Sequence, residues 1–121
     1  MVLLPKIFQE IWSIEFNLKR LNRAKEFCKD KKNINFIHGD AYNDITYNDF
    51  PTLFNVAIID CVHEYDNVMV DINRALSYFN NKKIYLVFDD YGHPQHPGVK
   101  QAIDALAPSG SASPLKCSFY T

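Results

Sequence analysis

The 121-residue sequence predicts an α/β fold, a mostly parallel sheet with flanking helices. Two observations predict it. Short β-branched or aromatic runs alternate with segments of helical spacing, and each run is too short to be an independent helix. A third observation directs attention to one rim of the sheet, because every such run ends in or beside an acid.

The first run, IWSIEF (11–16), reads as a strand ending at Glu15. The segment 17–32 then places Leu18, Leu21, Ala24, Lys25 and Cys28 on one stripe, with Asn17 as N-cap. INFIH (34–38) is the second strand and runs into Gly39 and Asp40. FNVAIID (54–60) is the third and ends at Asp60. In the helix expected over 66–79, Val68, Ile72, Ala75, Leu76 and Phe79 share a face and Asp66 is the cap. KIYLVFD (83–89) is the fourth strand, followed by Asp90. Val99, Ala102, Ile103 and Leu106 give the last helix, 98–107, which starts just after Pro97. All four strands read as buried on both faces, as parallel strands under helices are. PSGSASP (108–114) is a turn-rich linker, and LKCSFYT (115–121) a candidate closing strand.

Composition narrows the classes. With 47% hydrophobic and 14% aromatic residues the chain can bury a core, and its length suits one domain spanning 1–121. A net charge of −1 argues against electrostatic capture of nucleic acid or an anionic membrane. Three widely spaced cysteines (Cys28, Cys61, Cys117) form no CxxC pair, and no apolar run is long enough to span a bilayer. The opening MVLLPKIF is interrupted by Pro5 and Lys6 and does not read as a signal-peptide core. A reducing, cytoplasmic location is the expectation. Cys61 reads as buried and without an activating base, so no thiol nucleophile is expected.

In parallel α/β sheets ligands bind beyond the carboxyl ends of the strands. Glu15 there either accepts bonds from ribose hydroxyls or caps the following helix. Asp40 either receives an adenine amino group or caps a turn. Asp60, Asp89 and Asp90 converge if the third and fourth strands pair, because neighbouring strands lie about 5 Å apart. Clustered carboxylates repel unless protonated or bound to a cation, and hard oxygen ligands suit magnesium (Mg2+), manganese or calcium. The competing reading has Asp90 capping a turn while only Asp89 faces the cleft. His63 and His93, just past two strand ends, are candidate general bases or ordinary loop histidines. His96, between Gln95 and Pro97, reads as a loop-shaping residue, and HPQHP is weak evidence for a metal tract.

WSIEFN with its basic helix, FIHGDA, VAIIDCVHEYDNVMVDINRAL and VFDDYGHPQHPGVKQAID, in that order, resemble class I S-adenosylmethionine-dependent methyltransferases. The nearest subgroup is the small-molecule O-methyltransferases, and the resemblance covers about residues 3–107. It implies a Rossmann-like sheet and S-adenosylmethionine as cofactor. Glu15 would lie at the ribose, with Asp40 and Ala41 at the adenine. Asp60, Asp89 and Asp90 would be ligands of a divalent metal, with His63 as base and His93 as a second base. The acceptor would be a small-molecule hydroxyl.

The sequence also departs from that pattern. The family opens with a strand and a Gly-rich turn, whereas here MVLLPKIFQE resembles the tail of the first helix. The four glycines (39, 92, 98 and 110) form no G-x-G turn, and Val62 replaces a second acid. The expectation is therefore an incomplete domain, truncated at the N-terminus. Its central strand position would be left open, closed by direct strand pairing, or filled by a second copy of the chain. The rival function is a non-catalytic binding or assembly module that keeps the fold without the cofactor. A phosphoacceptor receiver domain fits poorly, because its acid pair follows the first strand whereas this one follows the last.

Overall fold

The computed structural model describes residues 7–50, 54–77 and 85–106. The closing strand expected over 115–121 and the linker over 108–114 lie outside the described residues. The chain divides into two compact units, Met1–Pro51 and Thr52–Thr121.

In the first unit β1 (Ile11–Glu15) pairs in parallel with β2 (Ile34–His38), with Ile11 opposite Ile34 and Glu15 opposite His38. The ladder runs one step further, where the Gly39 N–H donates to the Glu15 carbonyl at 3.2 Å. The crossover helix α1 (Leu18–Phe27) begins where expected, since the Arg20 N–H donates to Asn17 Oδ1 at 3.0 Å. That bond supplies one of the donors a helix start leaves unsatisfied. The helix stops five residues short of the expected end, and Cys28 is its C-cap. Leu21 is its one buried residue, whereas Leu18, on the expected stripe, is exposed. A 3-10 turn, Asp44–Tyr47, follows β2 and is capped by Asn43.

In the second unit β3 (Val56–Ile59) pairs in parallel with β4 (Tyr85–Phe88). The helix α2 (Tyr65–Ser77) starts one residue before Asp66, so that acid lies inside the first turn and is not the cap. There it still faces the positive end of the helix dipole. The last helix, α3 (Pro97–Leu106), takes Pro97 as its first residue, where a missing N–H carries no penalty. Val68 and Ile72 of α2 meet Val99 and Ala102 of α3, and all four are buried. Ile59, Leu86 and Phe88 pack against this cluster from the sheet.

Burial on both strand faces, expected from the sequence, does not hold for β3 and β4. Ile59, Leu86 and Phe88 face the helices, while Ile58, Tyr85 and Val87 are each about half exposed. The alternation has the period of a sheet covered on one side. The strands are distributed over two two-stranded sheets, β1–β2 and β3–β4. The five strand-end acids therefore divide between the units, Glu15 and Asp40 in the first and Asp60, Asp89 and Asp90 in the second. Among the described residues no helix is long and apolar enough to cross a membrane.

Candidate functional site

The strand ends of the second unit carry the denser chemistry. Asp60 follows β3, and Asp89 and Asp90 follow β4, so the parallel register Ile59 opposite Phe88 brings the three acids together. Their carboxylate oxygens lie within 4.8 Å of one another. Burial and the charge of Asp89 push the Asp60 carboxyl above its ordinary value, Asp90 adds to this, and His63 partly offsets it. Electrostatically this is a site short of positive charge.

Asp90 is placed by an uncommon backbone. Its φ is 62°, in the left-handed region that costs a residue with a Cβ roughly 1–2 kcal/mol and that aspartate tolerates better than most. Its N–H donates to Asp89 Oδ1 at 3.0 Å, and Gly92, at φ 78°, continues the reversal. From this turn Asp90 Oδ2 reaches to 2.9 Å from His63 Nε2. Asp60 Oδ1 lies 3.6 Å from the same nitrogen, too far for a hydrogen bond. Despite the short approach of Asp90, His63 Nε2 is buried without a well-aligned hydrogen-bond partner.

The loop carrying His63 is held by close packing. A Cβ on Gly98 would lie 2.5 Å from the Tyr65 nitrogen and 2.6 Å from the His63 carbonyl oxygen, so only glycine admits this approach of α3. Tyr91 holds the other side, donating its hydroxyl to Asp104 Oδ1 at 2.8 Å. Lys100 shares Asp104, and that carboxylate pushes the lysine's pKa up.

His93 and His96 come from the turn between Asp90 and α3. His93 Nδ1 accepts the Gln95 N–H at 3.1 Å, which leaves Nε2 as the nitrogen that bears the proton in the neutral ring. His96 was expected only to shape the loop. Instead its ring stacks on His63, with centroids 4.0 Å apart and an interplanar angle of 26°. No sequence spacing announces this pair; the close approach at Gly98 creates it. Cys61, expected to be buried, is exposed.

In the first unit the strand-end acids already serve the local backbone. Glu15 Oε1 accepts the Asn17 N–H at 2.9 Å, and Asp40 Oδ1 accepts the Tyr42 N–H at 2.9 Å. The Ala41 carbonyl accepts the Tyr47 hydroxyl at 2.7 Å. Beside them lies an open groove of about 680 Å³, lined by Trp12, Phe36, His38, Asp40, Asn43 and Thr46 among others. Asp40 lines this groove and Glu15 does not, and the Trp12 ring packs against Phe50 with centroids 5.2 Å apart.

No protein-family model matches the chain, and no curated protein matches it. The functional reading rests on the site itself.

Proposed function

We propose that the chain is an S-adenosylmethionine-dependent methyltransferase-like domain with a Rossmann-like fold. Its second unit would activate a small-molecule hydroxyl for O-methyl transfer. The observation that carries the reading is the meeting of Asp60, Asp89, Asp90 and His63 at the carboxyl ends of two paired parallel strands. Ligand sites in parallel α/β proteins lie at such ends. Three carboxylates within 4.8 Å, one of them with its pKa pushed up by burial and by the charge of Asp89, fit a hard divalent cation such as magnesium.

The roles follow from the contacts. Asp60, Asp89 and Asp90 would hold the cation, which when bound lowers the pKa of an acceptor hydroxyl and orients it. With Nε2 turned to the carboxylates of Asp60 and Asp90, His63 would take the hydroxyl proton on Nδ1, and Asp90 would stabilise the imidazolium so formed. His93 serves less well as a base, because its accepting nitrogen already holds the Gln95 N–H. Glu15, Asp40 and the Ala41 backbone would position the nucleoside end of S-adenosylmethionine, the donor of the methyl group. The rate would then come chiefly from alignment of the acceptor oxygen with the methyl carbon.

A second reading is favoured by a specific observation. Glu15 and Asp40 each bond a backbone N–H two residues on, as structural turn acids do, and the sequence has no G-x-G turn. On that reading the chain is a non-catalytic binding or assembly module, and a second copy completes the sheet. Calorimetric titration of the folded chain with S-adenosylmethionine, with and without magnesium, separates the two. Saturable heat supports the methyltransferase reading. Its absence at millimolar cofactor leaves the binding module.

A further inference from the structure

We propose that His63, Asp90 and His96 form a binding site for a d-block divalent cation of the zinc class. Its ligand chemistry differs from that of the all-oxygen acid trio, and its occupation withdraws His63 from proton transfer. The inference uses the same strand ends as the proposed methyl-transfer site but does not need that activity.

Proximity is the first support. One ligand atom from each of the three residues lies within 4.8 Å of the others, and all three side chains are half-buried. Zinc bonds of about 2.0–2.1 Å place donors roughly 3.4 Å apart, and a metal lies in the plane of each ligating ring, so closure requires side-chain rotation that opens the His63–His96 stack. The 2.9 Å between His63 Nε2 and Asp90 Oδ2 is already inside that span.

The state of the His63 nitrogen is the second. It is buried, it has carboxylate oxygens at 2.9 and 3.6 Å, and it makes no aligned hydrogen bond. Buried polar groups in native structures are paired, and an exception calls for an explanation. A cation accepting the nitrogen lone pair, with Asp90 beside it, supplies one.

The scaffold is the third. The Gly98 contact fixes the His63 backbone, and the left-handed turn fixes Asp90. His96 lies two residues before Gly98, and its N–H donates to the His93 carbonyl at 3.0 Å. The backbones that carry the three ligands are thus fixed, and what remains on binding is reorientation of the two stacked imidazoles.

Ligand type decides the metal. Two imidazoles and a carboxylate match three-ligand zinc sites that keep an open position, and imidazole suits zinc, nickel, cobalt and copper. Magnesium prefers oxygen and keeps its waters. Because Asp90 belongs to both sets, the two kinds of cation compete for one carboxylate.

Cobalt is the probe, since its visible d–d bands report the ligand set. Titrating the full chain with cobalt(II) is expected to give saturable bands at one ion per chain. His96→Ala is expected to weaken binding by more than about tenfold, the range that loss of a supporting contact alone can reach. Asp89→Asn is expected to keep the bands while removing competition by excess magnesium. Binding unchanged in both His96→Ala and His63→Ala overturns the proposal. So does an intense thiolate-to-cobalt charge-transfer band, which would place the ion on a cysteine and not on the His63, Asp90 and His96 set. If His63→Ala does not fold, His96→Ala decides alone, because His96 lies outside the apolar cluster. Failure to bind S-adenosylmethionine leaves the cobalt result standing, so the two proposals fail separately.

Discussion

The two units carry acids at the same place, the carboxyl end of a parallel strand, and use them differently. In the first unit Glu15 and Asp40 each accept a backbone N–H two residues on. In the second, Asp60, Asp89 and Asp90 face one another and His63, and Asp60 is pushed up by burial and by its neighbours' charge. Asp89 too accepts a backbone N–H, that of Asp90, but it also meets the carboxylates of Asp60 and Asp90. An acid whose nearest partners are other acids raises the energy of the folded state until a proton or a cation arrives. The position on the fold is shared; the identity of the partner decides the chemistry.

The largest expected effect breaks the scaffold of the second unit. In Gly98→Ala the new methyl would meet backbone atoms of Tyr65 and His63, which cannot rotate away. Overpacking of this kind costs about 1–3 kcal/mol. Urea denaturation followed by circular dichroism should register that loss, and divalent-cation affinity should fall with it, because His63 moves. Wild-type stability in Gly98→Ala would show that α3 does not approach the loop so closely.

That contact also marks the limit of what the sequence makes legible. The order of strands and helices, the Asn17 cap and the entry of α3 at Pro97 follow from local signals, namely run length, side-chain period and capping chemistry. Local signals failed where a partner decides. Ile58, Tyr85 and Val87 are apolar and β-prone, but whether a second layer covers them is a tertiary fact, and they are exposed. Five acids at strand ends look equivalent in sequence until pairing divides them into two groups. Convergence of Asp60 with Asp89 and Asp90 was legible on condition that β3 and β4 pair, and they do. His96 was missed because His63 lies far away in sequence. The signal that might have found it is Gly98, a glycine at the second position of a helix that capping rules do not require.

A smaller effect sharpens the electrostatic half of the comparison. The Asp60 carboxyl holds its proton more tightly in the folded than in the unfolded chain. The stability this contributes is complete below the ordinary carboxylate range. It is lost as pH rises through the folded value, so the folded state carries the repulsion at neutral pH. Asp60→Asn should therefore stabilise the second unit at pH 7. The gain should not exceed about 1 kcal/mol, since solvent screens a half-exposed group. Thermal melts of both forms should converge as the pH is lowered into the carboxylate range. Magnesium should raise the melting temperature of the wild type and much less that of the variant. A variant less stable than wild type at pH 7 would mean that the attraction of His63 outweighs burial and the repulsion of Asp89.

The smallest effect comes from the same chemical change in the first unit. Asp40→Asn leaves a side-chain oxygen in place to accept the Tyr42 N–H. Stability should change by less than about 0.5 kcal/mol, as for ordinary surface substitutions. No divalent-cation response should appear or disappear with it. Its informative readout is the fluorescence of Trp12, the sole tryptophan, which lines the groove beside Asp40. If the groove takes an adenine amino group, nucleoside quenching of Trp12 should weaken in Asp40→Asn, since the amide oxygen is a poorer acceptor than the carboxylate. If Asp40 is only a turn acid, quenching should be the same in both forms. Paired with Asp60→Asn, one substitution then tests an acid satisfied by backbone and the other an acid opposed by its neighbours.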